Sequence, residues 1–448
     1  MTDRSLRVAV VGSGPAGFYA AGALLASDEP VCEVDMIERL PTPWGLVRLG
    51  VAPDHPNIKA VSRAFERIAA RPGFRFFGNV DVGNDVTHDE VAERYDAVVY
   101  AIGAQTDRQL GIPGEELPGS WPATAFVAWY NGHPDFQELV FDLSHERAVV
   151  IGNGNVALDV ARMLALTPEE LAPTDTTDAA IEAINAAGIR EILVVGRRGP
   201  VQAAWTPVEV GELGELAGTD IVVAPEDLEL DEASAAELAA ASPTVRRSVE
   251  HLRDFAARSS GGKPRAIRLR FFSSPTAILG DGDVEAIELV RNELVDGRAV
   301  PTDERETVPC GIVFRSVGYR GVGLPGVPFD ESAGTIPNEG GRVVPGLYAA
   351  GWIKRGPSGV IGTNKKDATE TVELLLEDAR AGLLPPSSGD DLEELLVERG
   401  VEHVLYAGWE AIDAAERSAG EPHGRPRVKL CTWEELLEAA AGAGRPTT

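Results

Sequence analysis

The chain opens on a short apolar run, Val8-Ala9-Val10-Val11, that stops at Gly12; the residues from Phe18 to Ala26 then suit a helix. Glu33 to Glu38 reads as a second strand, and Ala97 to Ile102 as a buried strand ending at Gly103. The same order restarts at Ala148-Val149-Val150-Ile151, passes through Gly152 into a helix reaching about Leu166, and returns as a strand at Glu191–Val195. Leu347 to Gly351 predicts another strand, and Thr363 to Arg380 a long helix. Strands alternating with helices predict an α/β protein built on parallel sheets. No solenoid period is present, but one strand–glycine turn–helix unit occurs twice. Between these units, Thr167 to Gly188 reads as a surface insertion, Glu226 to Ser242 as a solvated acidic helix, and Pro385 to Asp391 as a linker. Beyond the linker come two acidic helical stretches and a basic strip, Arg425, Arg427 and Lys429.

The repeated unit carries the chemistry. In the first copy, Gly12, Gly14 and Gly17 have the spacing of a dinucleotide-binding turn. The first glycine permits the bend, the second lets the backbone approach a pyrophosphate, and the third lets helix and strand pack closely. Helix amides then face the phosphates. Glu38 closes the following strand about twenty residues beyond Gly17, where a carboxylate grips ribose hydroxyls. The second copy reads Gly152-x-Gly154-x-x-Ala157, with alanine as an accepted third residue. Its second strand runs into Gly196-Arg197-Arg198 instead of an acid. Two guanidiniums there bind a ribose 2′-phosphate through charge-assisted hydrogen bonds, which favours NADP over NAD. The bland alternatives are a tight turn without a ligand and a solvated arginine pair.

Composition narrows the function further. Among 448 residues the net charge is −29, and a surface so acidic repels nucleic-acid backbones. The three cysteines, Cys32, Cys310 and Cys431, form no Cys-x-x-Cys, so no disulfide framework, zinc knuckle, iron–sulfur cluster or other metal site is expected. The uncharged stretch Val8–Ser27 follows Arg4 and Arg7 as in a secretory signal. Its internal glycines and Pro15 break an apolar helix, so a cytoplasmic protein without membrane insertion is expected. Two dinucleotide sites of different ribose chemistry suggest a flavoprotein in which one site holds FAD and the other delivers NADPH. Without a cysteine pair the electrons leave the flavin directly, not through a disulfide.

Longer strings carry a resemblance. Residues Pro43-Trp44-Gly45-Leu46-Val47-Arg48-Leu49-Gly50-Val51-Ala52-Pro53-Asp54-His55-Pro56, the turn Gly152–Asp159, and Ala350–Asn364 resemble signatures of the adrenodoxin reductase-like ferredoxin–NADP+ reductases, in particular the bacterial members. The likeness runs from residue 6 to about 380 and continues more weakly through Arg425-Pro426-Arg427; Trp44 stands where the family is expected to have phenylalanine. It implies two Rossmann-like dinucleotide-binding domains: a discontinuous FAD domain at 1–107 and 320–448, and an NADP domain at 108–319. By the same resemblance Ala16, Glu38, Gly45, Leu46, Val82, Trp352, Gly359, Val360 and Ile361 line the FAD site with Gly12, Gly14 and Gly17. Asn153, Gly154, Asn155, Val156, Arg197, Arg198 and Glu209 meet NADP, with Gly359 near the nicotinamide.

Local chemistry bears on several of these roles. Gly359–Gly362 precede a helix whose free amides suit a flavin pyrimidine that gains negative charge. Trp352 packs on or beside the ring system, or else in the core. His55 contacts the flavin or assists a proton step, with a structural hydrogen-bonding role as the alternative; Glu209 is the second candidate catalytic residue, with a surface carboxylate as the alternative. The implied activity is NADPH-dependent reduction of a ferredoxin-type iron–sulfur protein, with cytochrome P450s as downstream recipients. An NADPH diaphorase or oxidase reducing quinones or oxygen is the enzymatic alternative, and a nucleotide-sensing protein on the same fold is the non-enzymatic one. Docking an acidic partner calls for local cations, and the candidates are Arg246, Arg247 and Arg253, or Lys354, Arg355, Lys365 and Lys366.

Overall fold

The structure is a computed structural model and describes residues 4–258, 261–359 and 361–442. The chain forms two compact units, one from the residues up to Thr106 together with those from Gly318 onward, the other from Asp107–Val317.

In the first unit a six-stranded sheet has the order Arg342–Val344, Leu347–Ala349, Ala97–Tyr100, Leu6–Val11, Cys32–Ile37, Phe74–Phe77. All neighbours are parallel except the first two. Val8, Ala9 and Val10 have no exposed surface, because the central strand is covered on both faces. The helix Pro15–Leu24 covers one face through Phe18 and Leu24, and Phe18 stacks on Phe65 at 4.9 Å. The helix Ile361–Arg380 packs beside it through Ala368, Val372 and Leu375. Val8–Ser27 is thus a strand, a glycine turn and a helix, as its glycines require.

The second unit repeats the plan with a parallel sheet ordered Ser120–Pro122, Ile312–Arg315, Arg147–Ile151, Glu191–Val195, Arg265–Arg270, Thr219–Val223. In both sheets the strand before the glycine turn sits where the order of connection reverses, which is where α/β proteins open a crevice for ligands. The second unit also carries a three-stranded antiparallel sheet, Ser273–Leu279, Ala286–Val295 and Arg298–Pro309, which lies outside the simple alternation expected from the sequence. Asp296 and Gly297 both have positive φ and form the two-residue turn that fixes its register.

Two segments depart from the sequence reading. Thr167–Gly188 is no surface insertion: it holds the helices Pro168–Leu171 and Asp178–Asn185, and Thr174, Asp175, Thr176 and Thr177 are buried. Pro385–Asp391 is tied down, with Ser387 Oγ donating to Asp96 at 2.7 Å and Asp391 accepting from Arg75 at 2.8 Å. The basic strip is tied into the unit as well, since Lys429 is buried and Arg427 pairs with Asp413 at 2.7 Å.

In the second unit, burial pushes the Asp107 carboxyl up to about 6, against the Thr124 hydroxyl and the Arg315 charge, which draw it down. A raised carboxyl is more readily protonated when folded than when unfolded, so this group costs stability above pH 6 and the cost fades as pH falls toward 4. Asp107→Asn is therefore expected to raise the melting temperature at pH 8, with the gain shrinking between pH 6 and 4. Melting curves across that range check it; a gain independent of pH would refute the assignment.

Candidate functional site

Each glycine turn is shaped by backbone contacts that leave no room for a side chain. Gly12 has φ +101°, and a Cβ there would lie 2.6 Å from the Ala101 carbonyl oxygen. At Gly17 a Cβ would lie 2.0 Å from the Gly12 oxygen, so the helix can approach the turn only without one. Gly14 is different: a Cβ would meet nothing within 4 Å. That open space, at the N-terminus of the helix Pro15–Leu24, is a cradle with free amides. The second turn follows the same logic. Gly152 has φ +133° and would clash with the Ser316 oxygen at 2.1 Å, whereas Gly154 again faces open space at the start of the helix Asn155–Ala165.

Around the first turn, the Glu38 carboxylate accepts from the Ser13 amide at 2.9 Å, the Ser13 hydroxyl at 2.7 Å and the Leu40 amide at 3.1 Å. It braces the glycine turn and retains acceptor capacity beyond these three bonds. Trp44 donates its backbone N–H to the Ser13 carbonyl at 3.0 Å. It has φ +83°, a strained conformation for an aromatic residue, and its buried indole N–H has no partner among the described residues. Gly45 follows with φ +48°; a Cβ there would come within 3.0 Å of Gly14 Cα. Leu46 is 40% exposed although apolar, while Ala16 and Val82 are buried.

Trp352 adjoins the cradle through Gly351, where a Cβ would sit 2.6 Å from Ala16 Cβ. Its indole N–H is also buried without a partner, and its ring lies 5.3 Å from Tyr319. The Gly351 amide donates to Asp367 at 2.6 Å, a buried acid that the sequence analysis missed. Gly359 is exposed with φ +82°, and the helix begins at Ile361. Val360 lies outside the described residues. The groups gathered here, free amides, two unpartnered indole N–H groups, the Glu38 carboxylate and apolar Leu46, suit a large, partly apolar dinucleotide such as FAD.

Around the second turn, the Ala204 amide donates to the Asn153 carbonyl at 2.9 Å and the Thr206 amide to Asn155 Oδ1 at 2.8 Å. The segment 203–206 thereby lines the glycine turn, again unforeseen from the sequence. Asn153, Asn155 and Val156 are half-buried. Arg197 is exposed, and its guanidinium makes no hydrogen bond or ion pair among the described residues. Arg198 has one long bond, 3.4 Å to the Gln202 carbonyl. In a chain with 70 acidic residues, two neighbouring arginines left without a carboxylate in the unit that holds the Gly154 turn are suited to an anion. Glu209 is not a surface carboxylate: it is buried on the helix Pro207–Leu213, 3.5 Å from Arg162, which also meets Asp159 at 2.9 Å and Glu212 at 3.6 Å. In the first unit, His55 is 7% exposed and precedes the short helix Pro56–Lys59.

The basic clusters fare unequally. Lys354 pairs with Asp367 at 3.0 Å, and Arg355 lies 3.6 Å from the same carboxylate and donates to Asn364 at 2.6 Å and to the Ser358 carbonyl. One carboxylate thus faces two cations, and both are held against the unit. Lys365 and Lys366 remain exposed, the latter 3.7 Å from Glu370, as do Arg246, Arg247 and Arg253 on the helix Pro243–Ala257. Burial pushes Cys32 up to about 11 and Cys310 up to about 12, so both thiols are inert at neutral pH. Among the described residues no helix is long and apolar enough to cross a membrane.

Comparison with known proteins agrees with this geometry. Residues 6–181 match the family model described as pyridine nucleotide-disulphide oxidoreductase. The chain is 52% identical to the NADPH-ferredoxin reductase FprA of Mycobacterium tuberculosis, over 98% of this chain and all of that one. It is 44% identical to the human mitochondrial NADPH:adrenodoxin oxidoreductase, over 97% of this chain and 92% of the relative. The solved structure of Mycobacterium tuberculosis FprA in complex with NADPH matches with a TM-score of 0.93 at 51% identity, covering 98% of this chain and all of that one. No cysteine of this chain is paired, so the disulphide in the family model's description has no counterpart here. Identity at this level over nearly the whole length places the chain in the family of NADPH-ferredoxin and NADPH:adrenodoxin reductases.

Proposed function

We propose that the protein is a cytoplasmic NADPH-dependent flavoprotein reductase that passes electrons to a ferredoxin-type iron–sulfur protein, with cytochrome P450s downstream. The observation that carries this reading is the uncompensated pair Arg197 and Arg198 beside the Gly154 cradle, in a unit separate from one whose own cradle is closed by Glu38. Opposite ribose chemistry at two otherwise similar turns fits two different dinucleotides, NADP(H) at the arginines and FAD at the glutamate. The chemistry FAD supplies when bound is uptake of a hydride and release of electrons one at a time.

The residues have distinct tasks in this reading. Gly12, Gly14 and Gly17 bring backbone amides to the FAD pyrophosphate, and Glu38 holds its ribose. Gly45, Leu46, Val82, Trp352, Gly359 and Ile361 enclose the rest, Ala16 forming the floor. Asn153, Gly154, Asn155 and Val156 receive the NADP pyrophosphate, and Arg197 and Arg198 its 2′-phosphate. Hydride transfer needs no acid or base, so positioning dominates. Glu209, held against Arg162, fixes the helix that follows the segment 203–206, and His55 handles a proton at the flavin. His55→Gln is then expected to shift the pH profile of turnover without weakening FAD retention; an unchanged profile would remove His55 from the chemistry.

The test of the function is direct. Purified protein should be yellow, bleach on mixing with NADPH, and reduce cytochrome c only when a ferredoxin is added. Equal cytochrome c reduction without ferredoxin would favour a diaphorase, and a colourless protein that takes up no added FAD would refute the reading altogether.

A further inference from the structure

Gly45 and Leu46 belong to a structure too small to hold itself. The helix Leu46–Leu49 has four residues, with Gly45 as its N-cap and no side-chain cap. One turn forms at a net cost when isolated, so its place must be set by anchors elsewhere. Those anchors converge on Arg48, at its last turn. The Arg48 guanidinium donates two parallel bonds to Glu416, 2.8 Å from Nη1 to Oε2 and 2.5 Å from Nη2 to Oε1. Its backbone carbonyl accepts from Lys429 Nζ at 3.3 Å. Its guanidinium also lies 5.3 Å from the ring centre of Trp409, which meets Trp44 edge-on at 4.8 Å.

Glu416 is the hub of this arrangement. It sits on the helix Tyr406–Gly420, some 370 residues after Arg48, and has no exposed surface. Besides Arg48 it accepts from Arg427 Nη1 at 2.9 Å and from the Leu430 amide at 2.9 Å. Burial alone would raise its carboxyl, yet Arg48 and Arg427 hold it below the ordinary carboxylate range, so it is an anion at neutral pH. A buried ion pair contributes little net stability compared with apolar packing, but it fixes geometry because both groups must be satisfied at once.

We propose that Glu416 is a positioning residue for the flavin: through Arg48 it fixes the short helix that sets Gly45 against the Gly14 cradle and presents Leu46. The inference rests on the reading that the first cradle holds FAD. It makes the helix Tyr406–Gly420 and the residues around Arg427 part of the support of the cofactor site.

The test compares wild type, Glu416→Gln, and the double variant Arg48→Met/Glu416→Met, which removes both charges and keeps the volume apolar. FAD dissociation, the visible circular dichroism of bound flavin, NADPH affinity and thermal melting of the apoprotein are measured for each. Loss of one charge-assisted fork is expected to weaken FAD by about tenfold or more and change the flavin dichroism in Glu416→Gln. NADPH affinity, which belongs to the other unit, should be unchanged. The double variant leaves Arg427 with Asp413 alone and the Leu430 amide without its acceptor. It is therefore expected to melt somewhat below wild type and still hold FAD loosely, and it carries the test alone if Glu416→Gln is insoluble. Recovery of both melting and wild-type FAD affinity in the double variant would overturn the proposal, as would unchanged FAD affinity in Glu416→Gln. A wild-type protein that takes up no FAD would instead defeat the underlying reading.

Discussion

Replacing Arg197 and Arg198 together by alanine raises the KM for NADPH roughly ten- to a hundredfold and leaves NADH almost untouched. Each bond from a guanidinium to a phosphate is worth about 1.5–3 kcal/mol, reduced here because Arg197 is exposed to solvent. NADH lacks the 2′-phosphate, so it loses nothing when the arginines go. The effect should appear mainly in KM, since the 2′-phosphate is bound alike in ground and transition states. Steady-state kinetics with both coenzymes decide the matter. Equal losses would mean that the arginines hold the fold and not the phosphate.

The second large effect is expected at the first glycine turn, where two alanine substitutions should fail for different reasons. Gly14→Ala adds a methyl group that meets no protein atom within 4 Å, at a backbone angle alanine accepts. The apoprotein should melt as wild type does, yet FAD should be lost, because the methyl occupies the space a pyrophosphate needs. Gly17→Ala forces a Cβ to 2.0 Å from the Gly12 oxygen, so helix and strand must separate. It should weaken FAD by about a hundredfold and lower stability as well, since overpacking costs about 1–3 kcal/mol. Flavin absorbance after gel filtration and melting of the apoprotein distinguish the two. A Gly14→Ala protein as yellow as wild type would show that no phosphate lies at this turn.

Both turns were legible in the sequence because their chemistry is local. A glycine with positive φ, a helix start and a residue at the next strand end lie within a short span, and each has a fixed offset. What escaped depends on contacts across long separations or on who neutralises whom. Lys354 and Arg355 look like free cations until Asp367 and Asn364, one helix later, are brought beside them. Thr174 to Thr177 have the composition of a loop but are buried, with Thr174 and Thr176 bonded to each other. Glu416 has no signal of its own, because its partner precedes it by most of the chain. The antiparallel sheet, by contrast, carries a local signal: Asp296-Gly297 between alternating strands is a strong two-residue hairpin turn.

The interrupted first unit constrains how the protein is made. Its central strand Leu6–Val11 and the neighbour Ala97–Tyr100 are synthesised before the second unit, but Leu347–Ala349, which pairs with the latter, and the helix Ile361–Arg380, which covers Phe18 and its surroundings, are synthesised more than 240 residues later. The second unit, continuous from Asp107 to Val317, has every strand it needs before then. Nascent chains therefore complete the second unit first, while the apolar face of the first waits uncovered. Until Glu416 and Arg427 are synthesised, the chain carries a finished second unit and an unfinished first one, and such intermediates are the species for which chaperones are needed.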